Sequence, residues 1–313
     1  MPELPEVQTT VNGLKKHVLN LTIKDVWTDY RSKFHRGQPN IKNEKFFKEF
    51  RASVKNKKII KVSRRGKNVL IHLSGGLTII IHMKMTGHLL YGQYRKQIKN
   101  KQLGHEGQIN WRAVNAGPLR DDPYNQFIHL IFTLSNKRHL ALSDLRKFAK
   151  VTLVPTDKLK EDPSLSKLGP EPLAKNFSFK IFRERLLRQG TGKIKPVLMN
   201  QNVIAGIGNI YSDEILWQAN VHPLSRVEKI PLVYLKKIFT AMKKIINRSL
   251  KIGGASESDY RNLLGQPGRF QDETKSYARE GENCSKPNCQ GIIQRIKING
   301  RSACFCPRHQ KIF

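Results

Sequence analysis

Pro2 is the residue of this chain best suited to covalent chemistry, because removal of Met1 would make its nitrogen a terminal secondary amine. Such an amine attacks an aldehyde-like carbon and forms an iminium ion. Glu3 stands beside it as an acid. The same residues also suit a plain helix start, with Pro5 near the first helical position and Glu6 at the positive end of the helix dipole. The terminal motif therefore gains its weight from the rest of the chain.

Several other positions carry chemistry. Lys67, at the end of Ser63-Arg-Arg-Gly-Lys67, could meet a backbone phosphate as a point charge or guard a solvated edge strand. Met85 sits where a strand ends, as an exposed apolar wedge or as core filling. Arg146 and Phe148 lie two residues apart in Asp144-Leu-Arg-Lys-Phe148, so on an extended segment both point the same way. A ring there could wedge stacked bases while the guanidinium bonds an orphaned base; the alternative is a core Phe beside a surface Arg. Gly206-Ile-Gly-Asn209 reads as a tight double turn feeding a helix whose free amides favour an anion. Asn209 donates to the same phosphate or caps the helix, and Lys195 is close enough in sequence to add charge.

The tail holds all four cysteines, at 284, 289, 304 and 306, followed by His309. Paired knuckles around a hairpin predict one structural zinc ion. Cys306-Pro-Arg-His309 has the spacing of a knuckle, so Cys284, Cys289, Cys306 and His309 are the expected ligands, with Cys304 packed as a small apolar residue. The competing set is the four cysteines. Arg301 follows the Asn299-Gly300 turn at the hairpin tip, placed to enter a groove.

The elements that must position these residues are legible from periodicity. Val7, Val11, Leu14 and Val18 recur at helical spacing and would anchor the terminus on a core. Residues 69–73 and 77–83 read as a hairpin around Ser74-Gly-Gly76, and 127–134 with 139–142 as another, followed by a strand over 150–154. Residues 91–126 read as a long loop. Leu168-Gly-Pro-Glu-Pro-Leu173 marks a boundary, after which helices follow Ser178, run from about Lys195 to Asn200, follow Asn209, and carry the stripe Leu235, Ile238, Phe239, Met242, Ile245, Ile246, Leu250 up to Gly253-Gly254. The predicted division is a strand-rich domain over 1–155, a linker over 156–175, a helical domain over 176–264, a connecting loop over 265–281 and a zinc finger over 282–313.

Composition points to the partner. Lys and Arg number 57 against 24 Asp and Glu among 313 residues, a formal net charge of +33. That excess fits a polyanion, and nucleic acid is favoured over a membrane because no apolar run is long enough to span one. No signal-like segment precedes residue 20, so a cytoplasmic, reducing environment is expected, in which the cysteines are not disulfides.

Taken together, Pro-Glu-Leu-Pro-Glu at the start, Arg-Arg-Gly-Lys67, His-Met-Lys-Met85-Thr-Gly, Asp-Leu-Arg-Lys-Phe148, Gly-Pro-Glu-Pro-Leu173, Gly206-Ile-Gly-Asn-Ile-Tyr and Gly300-Arg-Ser resemble the bacterial formamidopyrimidine-DNA glycosylases of the Fpg/Nei superfamily over nearly the whole chain. The resemblance implies an α+β multidomain protein: an N-terminal β-sandwich with flanking helices, a helix–two-turn–helix domain and a C-terminal β-hairpin zinc finger, with double-stranded DNA bound between domains by a monomer. It implies a bifunctional glycosylase and abasic-site lyase of base excision repair, working at the nucleoid on oxidised purines such as 8-oxoguanine and formamidopyrimidines. Oxidised pyrimidines are the close alternative, and a catalytically silent binder of damaged DNA the more distant one. On this likeness Pro2 attacks the sugar of a flipped nucleotide, Glu3 protonates the ring oxygen and Glu6 supports the site. Lys67, Asn209 and Arg301 hold phosphates, while Met85, Arg146 and Phe148 fill the vacated space, and Gly265 to Tyr277 closes on the base. The chain departs from the family pattern in its Cys-x4-Cys knuckle, in His309 for a final cysteine, in Leu145 and Ala149 beside the wedge, and in the length of the 91–126 segment.

Overall fold

Residues 1–30, 38–99, 108–257 and 259–313 are described by the computed structural model, and they divide into two units, neither of them a single stretch of chain. The first comprises Met1–Pro2, Glu6–Asp162 and Gly253–Gly268; the second comprises Glu3–Pro5, Pro163–Ile252 and Arg269–Phe313.

In the first unit, β-branched and aromatic runs form two four-stranded antiparallel sheets. One has the order β1 (Ile23–Thr28), β8 (Ile128–Leu134), β9 (His139–Ser143), β5 (His88–Gly92); the other has the order β10 (Lys150–Pro155), β4 (Leu77–His82), β3 (Asn68–Leu73), β2 (Ile59–Arg65). Alternation sends Leu130, Phe132, Leu140 and Leu142 from one sheet and Val69, Ile71, Ile79 and Ile81 from the other into one core. Helix α1 (Leu4–His17) adds Val7, Val11, Leu14 and Val18 to that core, and α2 (Glu44–Val54) adds Phe50 and Val54. Each such side chain contributes roughly 1.5–3 kcal/mol when fully buried, so the helix behind Pro2 is fixed by its apolar stripe. The expected sandwich is present, and the fold class stands.

The stretch from 91 to 126 is not the structureless loop its polarity suggests. Its described residues form a hairpin of β6 (Tyr94–Lys99) and β7 (Gln108–Ala113), then a single turn of helix, α3 (Pro118–Asp121). An isolated two-stranded hairpin is marginal in water. This one is held because Tyr94 and Ala113 pack with Ile128, Ile131, Ala141 and Leu90 on the second face of the β1-β8-β9-β5 sheet, alongside Trp27, Trp111 and Leu119. The sheet is thus apolar on both faces, and the hairpin covers the outer one.

The second unit is helical, with α4 (Phe179–Leu187), α5 (Ile194–Met199), α6 (Asn209–Ala219) and α7 (Leu232–Lys251), ending in the hairpin β11 (Gln294–Ile298) and β12 (Arg301–Phe305). Helix α7 buries Leu235, Ile238, Met242 and Ile246. Helix α6 is buried nearly all round, from Ile210 to Trp217. No helix among the described residues is long and apolar enough to cross a membrane.

Candidate active site and metal centre

Pro2 is buried immediately before α1. Glu3, 2% exposed, is held on α6: its Oε2 accepts the Gly208 N–H at 2.6 Å and its Oε1 accepts the Ile210 N–H at 3.0 Å. The Leu4 N–H donates to the Gly206 carbonyl at 3.0 Å. Gly206 has φ of +99°, and a Cβ there would lie 2.7 Å from that of Leu4, so only glycine permits this approach. The sequence suggested that the amides of this turn await a phosphate. Two of them instead serve the carboxylate beside Pro2, which satisfies orphan donors of the helix start with a negative group.

Glu6, 1% exposed, positions a second segment. Its Oε1 accepts the Ala255 N–H at 2.7 Å, and its backbone carbonyl accepts the Tyr260 hydroxyl at 3.0 Å. Gly254 has φ of +85°, and a Cβ there would meet Glu6 Oε1 at 2.7 Å.

Lys67 follows Gly66 (φ +56°) in the β2–β3 turn and is buried rather than a solvated edge residue. Burial first, then the charges of Lys84 and Lys67, pushes His82 down to about 3, so that imidazole is neutral.

Arg146 and Phe148 do come together, by a different route from the one predicted. They lie on a turn with Lys147 at φ +54°, not on an extended run, and the Arg146 guanidinium sits 4.5 Å from the Phe148 ring centre. Phe148 is 47% exposed, which rules out core filling. The turn is fixed by buried Asp144, whose carboxylate accepts from the Tyr30 hydroxyl at 2.7 Å, the Ala149 N–H at 2.7 Å and the Thr86 hydroxyl. Thr86 in turn accepts the Arg146 N–H at 3.0 Å, and its chain neighbour Met85 is half-buried.

In the second unit, Asn209 and Arg301 line one concavity of about 610 Å³ with Arg295 and Lys297. Asn209 Nδ2 reaches Ser302 Oγ at 3.3 Å, while its buried Oδ1 has no protein partner. Lys195 does not line that concavity. It is 1% exposed, and its ammonium donates to Asp213 Oδ1 at 2.5 Å and to the Ser302 carbonyl at 2.6 Å. Asp213 Oδ2 also accepts the Cys304 N–H at 3.1 Å. Burial lowers Lys195 and raises Asp213, each opposed by the charge of the other. Next along α6, Glu214 accepts the N–H groups of Lys275, Ser276 and Tyr277 at 2.8–2.9 Å. Sequence reasoning missed both acids. Their signal was an Asp-Glu pair within the apolar run Ile210 to Trp217, where charge is tolerated only with partners.

Cys284, Cys289, Cys306 and His309 place their ligand atoms within 4.8 Å of one another. Tetrahedral zinc with Zn–S of about 2.3 Å and Zn–N of about 2.0 Å requires ligand separations of roughly 3.5–3.8 Å. The cluster has Cys289 Sγ to Cys306 Sγ at 3.6 Å, Cys284 Sγ to His309 Nδ1 at 3.3 Å and Cys289 Sγ to His309 Nδ1 at 3.8 Å. His309 directs Nε2 to the Trp217 carbonyl at 3.3 Å, the outer partner a ligating imidazole needs. Cys304 lies outside the cluster and packs with Trp217 and Ile293. The four-residue site fits a structural zinc.

Comparison with known proteins gives these sites their context. The family profile of the formamidopyrimidine-DNA glycosylase N-terminal domain matches residues 1–151, and that of the formamidopyrimidine-DNA glycosylase H2TH domain matches residues 168–261. This chain belongs to the formamidopyrimidine-DNA glycosylase family. It is 34% identical to the formamidopyrimidine-DNA glycosylase of Desulforamulus reducens, covering 99% of both chains, and 34% identical to that of Pelotomaculum thermopropionicum, covering all of both. Among solved structures, Lactococcus lactis Fpg bound to abasic-site DNA matches with a TM-score of 0.79 and 30% identity over 99% of each chain. The same enzyme bound to DNA containing N7-benzyl-Fapy-dG matches with a TM-score of 0.79 and 30% identity, over 99% of this chain and 100% of that one.

Proposed function

We propose that this family member is a DNA glycosylase of base excision repair that removes oxidised purines from duplex DNA and then cleaves the strand, with Pro2 as nucleophile. The observation that carries the reading is the Glu3 carboxylate, fixed by two amides at the start of α6, those of Gly208 and Ile210, beside a buried Pro2. The target nucleotide is flipped from the stack. The Pro2 nitrogen then bonds to the anomeric carbon as the bond from that carbon to the base breaks. Pro2 gives up its proton, which neutralises the departing base anion, the sugar ring opens as protonated Glu3 donates to the ring oxygen, and the resulting iminium activates the sugar for successive β- and δ-elimination of its two phosphates. Glu6 acts as a support, holding Ala255 and Tyr260 in place.

Lys67 in the first unit and Asn209 with Arg301 in the second are assigned to phosphates near the lesion. Met85, Arg146 and Phe148 enter the space the base leaves, Phe148 as the wedge and Arg146 as a donor to the orphaned base. Lys195 serves DNA binding indirectly, by fixing Ser302 next to Arg301. Residues 265–281 are assigned to closing on the flipped base. Zinc held by Cys284, Cys289, Cys306 and His309 supplies no chemistry; it ties down the base of the hairpin that carries Arg301. A chromosomal substrate implies a place of work in the cytoplasm, at the nucleoid.

The test is borohydride reduction during incubation with duplexes carrying 8-oxoguanine, which freezes an iminium as a covalent protein–DNA adduct. Parent protein lacking Met1 forms the adduct, Pro2→Gly largely loses it, and protein shown by mass to retain Met1 forms none. Equal trapping by the Met1-retaining form would move the nucleophile to another amine.

A further inference from the structure

We propose that the polar face of the β6–β7 hairpin, together with Arg120 of α3, is a second DNA contact that grips the duplex backbone. This rests on the reading that the protein binds duplex DNA, and adds a surface that reading does not use.

The hairpin is two-faced by register. Tyr94 pairs with Ala113 and Lys96 with Trp111, and this side covers the sheet through Tyr94, Trp111 and Ala113. On the other side Arg95 lies directly opposite Arg112, and Gln97 opposite Asn110. That face is polar throughout, and it borders two concavities of about 320 and 350 Å³ that share Gln97, Arg112 and Arg120, with Arg95 lining the second. Three guanidiniums thus stand around one carboxylate, Asp121, which is already bonded to Arg120 Nε at 2.8 Å and to the Gly117 N–H at 2.7 Å.

Like charges directly opposite each other across a strand pair cost stability. Among the described residues neither Arg95 nor Arg112 has an ion pair to offset that cost, although the Arg112 charge helps lower Asp121, after its bonds to Arg120 and Gly117. A hairpin needed only to cover the sheet would not require an arginine pair on its far side. A guanidinium presents donors in a planar fork that suits phosphate oxygens, and contacts to a nucleic-acid backbone draw on Arg, Asn and Gln alike, the side-chain types this concave face presents. The partner of complementary charge is the polyanion implied by a net charge of +33.

The experiment measures the salt dependence of binding to a long undamaged duplex, so that lesion chemistry does not enter. Each phosphate contact contributes about 0.9 to the log–log slope, so Arg95→Gln with Arg112→Gln should make the slope shallower by about 1.8, and Arg95→Lys with Arg112→Lys should restore most of it. Lys158→Gln with Lys160→Gln, two exposed lysines elsewhere in the first unit, removes the same charge and should change the slope far less. Because Arg95 and Arg112 are exposed and the glutamine pair relieves their repulsion, the glutamine variant should melt no lower than the parent. An unchanged slope in the folded arginine variant overturns the proposal while leaving DNA binding intact. An equal change in the lysine control overturns it in favour of net charge alone. A parent protein with no affinity for duplex DNA overturns both readings.

Discussion

Replacing Asp213 by alanine should destabilise the helical unit heavily, and the amount should depend on pH in a way that identifies the cause. In the parent, the Lys195 ammonium is 1% exposed and, among the described residues, bonds only to Asp213 and the Ser302 carbonyl. Removing the carboxylate leaves a buried cation with one carbonyl and the Cys304 N–H with no acceptor; breaking a buried pair in this way costs about 3–5 kcal/mol. The lysine has one escape, which is to lose its proton. Against an exposed lysine of pKa about 10.4, that escape costs about 5 kcal/mol near pH 7 and about 2 kcal/mol near pH 9, at 1.36 kcal/mol per unit. The stranded charge sets the loss near pH 7 and deprotonation sets it near pH 9, so the loss on Asp213→Ala should shrink by roughly 1–3 kcal/mol between the two conditions. Adding Lys195→Met, which removes the stranded charge and keeps apolar volume, should recover most of the stability at either pH. Urea unfolding of the two variants at both pH values measures this. Equal destabilisation near pH 7 and pH 9, or a double variant no more stable than Asp213→Ala, would refute the view that the pair is structural and would return Lys195 to a role as a direct ligand of DNA.

Two further outcomes follow from the geometry. Metal analysis should show zinc lowered in His309→Ala and retained in Cys304→Ala, because only His309 lies within the cluster; full zinc in the first with loss in the second would establish the all-cysteine set. His88 is 1% exposed and its Nε2 lies 2.9 Å from Asn125 Oδ1, and burial pushes it down to about 4. Between pH 6.5 and 4 the unfolded chain takes up a proton that the folded chain refuses, so stability is lost as pH falls through that window, by about 3 kcal/mol. His88→Gln should flatten the profile of urea midpoint against pH across it, and an unaltered profile would place the acid sensitivity elsewhere.

The residues that do the proposed chemistry were legible because their types are unusual where they stand: an imino acid and an acid at a terminus, three cysteines and a histidine at knuckle spacing, an arginine two residues from a phenylalanine. Periodicity was enough for α1, α7 and the main hairpins, where one apolar face repeats at a fixed interval. It failed between 91 and 126 because the hairpin there buries few side chains, Tyr94, Trp111 and Ala113, within a run otherwise polar. Such a segment owes its structure to the second apolar face of a distant sheet, and local pattern cannot report that. The Gly206 to Asn209 turn was recognised as an anion site, but the anion came from residue 3, since a contact across more than two hundred positions leaves no local trace. Lys195 shows the same limit. A lone lysine reads as surface charge until its partner, one helix further on, is known.

The interleaving of the two units fixes an order of events during synthesis. The sandwich is complete in sequence by Asp162, yet the stretch Gly253–Gly268 that finishes it emerges only after the helices have been made. At translation rates of roughly 5–20 residues per second, that interval is on the order of ten seconds. Throughout it Glu6 lacks the Ala255 amide and the Tyr91 N–H lacks the Leu263 carbonyl, a buried pair of backbone groups 2.8 Å apart in the finished protein. Glu3–Pro5 meanwhile waits for the Gly206 to Ile210 turn. Residues 3–6 therefore lock only after much of the second unit has been made, and a chain halted after the sandwich has neither Glu3 nor Glu6 bonded to its partner amides.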